Sequence, residues 1–419
     1  MATLTVFYVK LLLLALSSVM VWIGAQADTF WSKLQNRDTQ VIGLAWAIFR
    51  LLPFILIFVL MNQSPRGDVP FFWGKASVAV TGKWVYKDFV SYHAPLFSYL
   101  IALPLLLWYS SKAIVLLMVL IEGVIVWLTY RVYQNQTANA LKTTSLYLAL
   151  SAPMVMVLLG GQEDIWIWGV AAWMLLYYQK NHKDGLGLGV RFASGLVLIK
   201  ATFGFWLFPL WFLLKQRWPF LLGMLIVGIP TLVILYLTVE MAFLMPLQIT
   251  NNLLTPNLFT VVRPLITALL GHAPDLPTFT FAGLVVTLSW ATWIGYKLRH
   301  WPLERSLPLA FLATYVGMTI FQLTSPGYYA FTYLLPLVFE LVNWKNKKDI
   351  VILLMFNALL VIQPFLFTYL NSPTYDDISV LGSPLYLLEY SLQWLNVLCF
   401  GWYFWKILCL SSSPKPSSR

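Results

Sequence analysis

The stretch Val41-Ile42-Gly43-Leu44-Ala45-Trp46-Ala47-Ile48-Phe49-Arg50-Leu51-Leu52-Pro53-Phe54-Ile55-Leu56-Ile57-Phe58-Val59-Leu60-Met61 holds one ionisable side chain, Arg50. About 20 apolar residues in a row are what a helix needs to cross a hydrocarbon core ~30 Å thick. Outward from it, apolar runs recur at 5–26, 94–110, 112–130, 143–160, 164–180, 191–213, 219–239, 279–297, 305–323, 328–343, 349–370 and 384–408. Of 419 residues, 60% are hydrophobic and only 10% charged, with a mean hydropathy of +0.75. A water-soluble chain of this size cannot cover its surface with so few charges. The fold class is all-α: a polytopic transmembrane helical bundle forming one integral membrane domain over 1–410.

The formal charge of +11 raises nucleic acid as a partner. No basic stripe on a soluble fold accompanies it, so nucleic acid is excluded and basic cytoplasmic loops explain the excess. With the 62–93 loop outside, the inside loops hold most of the Lys and Arg, including Lys33, Arg37, Arg131, Lys142, Lys180, Lys183, Lys215, Arg217, Lys297, Arg299, Arg305, Lys345, Lys347, Lys348 and Lys406. Counting every run as a crossing gives 13 and scrambles this pattern. We therefore expect about 11–13 membrane segments, about 11 of them full crossings. The remainder, 94–110 and 191–213, are expected as juxtamembrane or re-entrant pieces. Irregular backbone at membrane depth is tolerated only where protein or a water-filled cavity surrounds it.

The first run ends Ala25-Gln26-Ala27-Asp28, like a signal-peptidase site, but Lys10 interrupts it and its length favours an uncleaved membrane helix. Cys399 and Cys409 have no metal-ligating neighbours in sequence. The end of the chain, 411–419, reads as a short disordered Ser/Pro/Lys tail. No inverted repeat or matched pair of Gly/Pro-broken helices is visible, which weakens a secondary-transporter reading.

The 62–93 loop and its continuation stand out chemically. They read Gly67-Asp68-Val69-Pro70-Phe71-Phe72-Trp73, Gly82-Lys83-Trp84-Val85-Tyr86-Lys87-Asp88-Phe89 and Ser91-Tyr92-His93-Ala94-Pro95-Leu96-Phe97-Ser98-Tyr99. This is too long for a tight turn and too aromatic for disorder, and it suits a structured cap over a membrane-embedded cavity. Asp68 suits a general base that takes a proton from an acceptor hydroxyl as that oxygen attacks an anomeric carbon; its structural alternative is a helix N-cap. Asp88 reads either as a group orienting the acceptor or holding a metal, or as a surface partner of Lys83 or Lys87. His93 reads as a phosphate contact or a plain interfacial histidine.

Gln162-Glu163-Asp164 follows Gly160-Gly161 on the same side. The three groups suit sugar hydroxyls, against an alternative of capping the positive end of a helix. Lys200 lies within an apolar run and is costly at membrane depth unless paired or solvated. A lipid-linked phosphate would be its natural partner; snorkelling to the interface is the alternative. Arg263 and Lys75 are further cations for a phosphate, and Tyr328-Tyr329 lies on the same face with Asp376-Asp377.

These landmarks occur in one order: an early loop acid, an aromatic segment ending Tyr92-x-x-Pro95-Leu96-x-x-Tyr99, the turn Gly161-Gln162-Glu163-Asp164, and the run Ala193-Ser194-Gly195 to Lys200. With Tyr328-Tyr329 to Leu335-Pro336, the pattern over roughly 41–340 resembles the GT-C superfamily of membrane glycosyltransferases. Within it the chain is similar to the polyprenol- or dolichol-phosphate-mannose-dependent mannosyltransferases, including the glycosylphosphatidylinositol mannosyltransferase I type. The resemblance implies a long structured first extracytoplasmic loop, Asp68 as catalytic base and Asp88 as the second loop acid. It implies substrate contacts at His93, Gln162, Glu163, Asp164, Lys200, Arg263, Tyr328 and Tyr329.

It further implies transfer of a hexose, with mannose the sugar of the similar enzymes. The donor would be a polyprenyl-phosphate sugar and the acceptor a lipid-linked, glycan or protein group, on the extracytoplasmic face of a plasma, inner or endoplasmic reticulum membrane. Asp68 is followed by Val69-Pro70 rather than a second acid, so a paired-acid metal motif is missing. No metal ligand is assigned and no cofactor is required, with a divalent metal as the alternative. Tyr328-Tyr329 stands where some relatives carry His-Tyr. The rival readings are a transporter or flippase of lipid-linked sugars, which needs a charge relay at the bilayer midplane, and a non-catalytic scaffold subunit.

Overall fold

A computed structural model describes residues 2–183, 185–247, 253–273 and 275–412. Most of the expected 411–419 tail, from 413 on, lies outside them. Among the described residues all extended secondary structure is helical, with a single isolated bridge between Val85 and Phe89. Seven helices among the described residues are long and apolar enough to cross a membrane: Phe7–Gln26, Asp38–Leu60, Ser111–Tyr133, Arg217–Leu247, Leu276–Leu298, Lys347–Tyr369 and Pro384–Ser412. The pair Ala140–Ala149 and Ser151–Gly160, bent by 57°, makes an eighth if taken as one span. The chain is a multi-pass helical membrane protein.

This count is lower than the 11 crossings expected, and the differences are local. The 94–110 run folds as Phe97–Leu106 alone, ten residues and about 15 Å of helix. The 191–213 run is divided by a break at Ile199–Lys200 into Leu186–Leu198 and Ala201–Leu213. The 328–343 run splits into a 3₁₀ turn at Gly327–Thr332 and the short helix Leu334–Glu340. Residues 164–180 and 305–323 form Ile165–Asn181 and Leu303–Phe321, which occupy the interior; the latter is buried at every residue from Ser306 to Ile320.

The 62–93 loop is also more regular than its composition suggests. It contains an 11-residue helix, Val69–Ala79, with Pro70 in the first turn, where a missing N–H leaves no intrahelical bond unmade.

Charges within the bundle are closed by pairing. Arg50 is fully buried and grips Glu122 through Nε at 2.6 Å and Nη2 at 2.9 Å, while Nη1 donates to the carbonyls of Phe49 and Leu148 at 3.0 Å. A bidentate pair with its remaining donor satisfied is the arrangement that makes such burial tolerable. At the 57° bend, Asn357 accepts from the Ala152 amide at 2.8 Å and donates to Ser151 at 3.0 Å, so the interrupted backbone is not left unpaired.

The first helix belongs to the packed body. Ser17 donates to the Ala149 carbonyl at 2.6 Å, and Lys142 donates to the Ala25 carbonyl at 2.5 Å. One end of the bundle collects Asp28–Lys142, Tyr133–Glu340 and Asp349–Lys406. The other, where the same helices terminate in the opposite sense, collects Asp68, 162–164, Lys200 and Tyr328-Tyr329.

Candidate functional site

The site is assembled on the contact between two glycine turns. The Asp68 amide donates to the Gly160 carbonyl at 2.9 Å. Gly67 and Gly161 both adopt left-handed backbone, with φ of 61° and 65°. A Cβ on Gly67 would fall 2.5 Å from the Gly160 oxygen, and one on Gly161 would fall 2.2 Å from Val69 Cγ2. Only glycine permits both the backbone sign and the closeness of approach.

Asp68 precedes the first turn of Val69–Ala79, yet its side chain does not cap that helix. It accepts instead from Gln162 Nε2 at 2.8 Å. Half-buried, it has a proton affinity raised above the ordinary carboxylate by burial and then by Glu163, against the opposing pull of Gln162, Lys200 and Lys75.

A chain of polar contacts lies beside it. From the buried face of Val69–Ala79, Lys75 reaches His93 Nδ1 at 3.2 Å. His93 Nε2 lies 3.2 Å from Glu163 Oε1. An ammonium can only donate, so a charged Lys75 makes Nδ1 the acceptor and places the imidazole proton on Nε2, directed at Glu163. His93 is then neutral, in keeping with a proton affinity that burial lowers despite the nearby carboxylate. Its ring stacks on Phe97 at 4.2 Å and meets the edge of Phe72 at 5.5 Å.

Lys200 sits at the break between two short helices, in extended backbone. Its ammonium lies 2.8 Å from Glu163 Oε1, bonds Asp164 Oδ1, and stands 4.9 Å from the Tyr329 ring centroid. The amides of Ala94 and Leu96 donate to the carbonyls of Ile199 and Val197 at 3.1 Å. Those bonds satisfy carbonyls at the helix end and tie the His93 segment to Lys200.

Burial opposes the charge on Lys200, but Asp164 and Glu163 outweigh it and hold the group charged well above the ordinary lysine range. Burial also works against the Glu163 charge, but Lys200 and then His93 hold its carboxyl below the usual range. Asp164 is pushed up to about 7 by burial, with Glu163 adding to the rise and Lys200 opposing it. Burial brings Lys75 down to about 8. Glu163 Oε2, Asp164 Oδ2 and the Trp166 indole N–H are buried without a protein hydrogen-bond partner.

The structure thus brings together Asp68, His93, Gln162, Glu163, Asp164, Lys200 and Tyr329, with Tyr328 packed edge-on against Tyr329 at 5.3 Å. Asp88 and Arg263 lie apart. Asp88 is exposed and accepts from the Trp84 amide at 2.6 Å, closing a turn in which its own amide donates back to the Trp84 carbonyl at 2.8 Å. Neither Lys83 nor Lys87 pairs with it among the described residues. Arg263, on Leu258–Leu270, pairs with Asp376 at 3.1 Å.

Lys75 is a full member of the cluster, which the sequence weighed only as one spare cation. Phe72 and Phe97 frame His93, and nothing in their spacing signalled that role. Among the described residues no group of three or more His, Cys, Asp and Glu is placed to hold a metal ion. No protein-family model matches the chain, and no curated protein matches it.

Proposed function

We propose that the protein is an integral membrane glycosyltransferase that moves a hexose such as mannose from a polyprenyl-phosphate donor to a hydroxyl of a lipid-linked, glycan or protein acceptor. The observation that carries this reading is Asp68. It is a carboxylate left uncapped at a helix start, half-buried, raised in proton affinity and set beside buried cations and hydrogen-bonding groups. Orientation follows from charge: the opposite end of the bundle carries most of the Lys and Arg and faces the cytoplasm by the positive-inside rule. The Asp68 cluster then faces the extracytoplasmic side.

In the mechanism, Asp68 accepts the acceptor hydroxyl proton as that oxygen bonds the anomeric carbon. The bond from that carbon to the phosphate oxygen breaks with inversion, and its electron pair leaves on the polyprenyl phosphate. Lys200 is engaged by two carboxylates, so Lys75, whose ammonium bonds only a neutral imidazole, is the better cation for the departing phosphate. Gln162 orients the base, and Glu163 and Asp164 each keep one buried oxygen without a protein donor.

The test is Asp68→Asn, assayed with a panel of radiolabelled lipid-phosphate sugars. Loss of a positioned base costs about 10²–10⁴ in rate. Normal membrane levels with undiminished transfer would remove the proposal.

A further inference from the structure

At the opposite, basic end of the bundle lies a cavity of about 260 Å³ between the short helix Asp28–Leu34, which follows the first helix, and the start of Ala140–Ala149, lined by Asp28, Trp31, Ser32, Asn139, Lys142 and Lys345 among others. We propose that it binds the phosphate group of an anionic membrane phospholipid.

The charge and geometry of the lining argue for this ligand. Lys142 is buried and spends two of its three N–H donors, on Ala25 O at 2.5 Å and Asp28 Oδ1 at 2.7 Å. The third is left to the cavity it lines. Lys345 is exposed, and among the described residues neither its ammonium nor the Asn139 side-chain amide has a hydrogen-bond or ion-pair partner. Two ammonium groups against one carboxylate leave the cavity one charge positive, with donors free to receive an anion.

The source of the phosphate follows from the surroundings. The cavity is at the foot of the first membrane helix, whose Val19, Met20 and Ile23 are exposed apolar side chains of the kind that face acyl chains. Exposed Phe30 meets Trp31 edge-on at 5.2 Å, placing an aromatic pair beside the cavity as at a bilayer interface. Basic pockets between membrane helices are suited to anionic headgroups, and each Lys near the surface contributes about fivefold in affinity.

The experiment titrates the purified full-length protein in detergent with short-chain phosphatidylglycerol, short-chain phosphatidylcholine and inorganic phosphate, followed by native mass spectrometry. Lys142 is left in place because it ties Asp28 to the first helix. Lys345→Gln should weaken phosphatidylglycerol binding about fivefold. Asp28→Asn, which removes the competing carboxylate and keeps a carbonyl acceptor for Lys142, should tighten it by a similar factor. A decrease in one variant and an increase in the other, with phosphatidylcholine binding unchanged in both, separates charge-dependent binding from charge-independent uptake into the detergent belt.

Equal retention of the two lipids, or two variants indistinguishable from the parent, would overturn the proposal. Displacement by inorganic phosphate at concentrations comparable to the lipid would support the phosphate chemistry while moving its source from bilayer to solution. No displacement keeps the lipid as the ligand.

Discussion

Lys200→Met keeps the length of the side chain and deletes its charge at the point where the site is most tightly coupled. Side-chain exposure is 12% for Lys200, 3% for Glu163 and 1% for Asp164, so the two carboxylates lose their shared cation where water cannot replace it. Removing one member of a buried pair costs about 3–5 kcal/mol. Burial and Glu163 already raise the proton affinity of Asp164, and in the variant it can escape repulsion from Glu163 by taking up a proton. That puts the cost near the lower bound, about 3 kcal/mol, a fall of several degrees in the thermal midpoint.

The escape by protonation gives the loss a definite pH dependence. A carboxylate whose folded-state proton affinity is raised stabilises the fold on protonation, so stability is regained as pH falls through that raised value. The midpoint of Lys200→Met, measured in detergent by intrinsic fluorescence, should therefore lie furthest below the parent at pH 8 and recover part of the gap at pH 6. Lys200→Arg should keep most of the parent midpoint, and adding Asp164→Asn to Lys200→Met should restore part of it. A Lys200→Met protein that melts with the parent at pH 8, or shows the same deficit at both pH values, would refute the coupling.

The proposed transferase should show a bell-shaped pH–rate profile. Asp68 must be ionised to act as base, so the acid limb falls above the ordinary aspartate value. The basic limb should fall near 8, where Lys75 loses its charge, and Lys75→Arg should move it upward. Gly161→Ala should cost about 2–4 kcal/mol, from the left-handed backbone and from the overlap with Val69. In thermal melts, adding Val69→Ala should relieve only the overlap part. Asp88→Asn should leave the turnover of a membrane-fraction assay within about twofold of the parent, because an exposed side chain that closes a turn is far from the reacting groups.

The membrane helices were legible because 20 consecutive apolar residues leave few alternatives, and the polar turn at 160–164 was legible because carboxylates are rare in this chain. The breaks were harder to read. Lys200 and Ile199 lie inside what reads as one continuous 191–213 run, and the interruption depends on amides from Ala94 and Leu96 reaching the freed carbonyls. No pattern within 191–213 encodes a partner a hundred residues away. Val69–Ala79 was hidden for a different reason: its Pro70 and aromatic neighbours suggest a loop until the helix-start tolerance of proline is applied.

Asp88 stands out in the sequence because acids are scarce in this chain, 16 among 419 residues, wherever they lie. Only the backbone shows that its carboxylate is committed to Trp84. Arg263 reads in the sequence as a cation for a phosphate, and the fold gives it to Asp376.

Two charge clusters in this bundle meet different standards of completeness, and the contrast bears on what each is for. At Arg50–Glu122 both carboxylate oxygens are bonded by guanidinium nitrogens, Tyr147 adds a contact at 3.4 Å, and the remaining guanidinium donor finds carbonyls. Nothing is left over, as expected of a pair whose task is to hold helices in register. The cluster at Asp68 is left open. Asp68 has one side-chain donor, Gln162, and Glu163 Oε2 and Asp164 Oδ2 have none from the protein. Buried acceptors are costly to leave unpaired, by about 1–3 kcal/mol each. Buried acceptors elsewhere, Asp38 Oδ1 and Gln393 Oε1 among them, are also without a protein donor, so openness alone does not mark a site. What sets this cluster apart is that its open acceptors lie beside the raised Asp68 carboxylate and two cations, where the proposed transferase would need donors from a sugar.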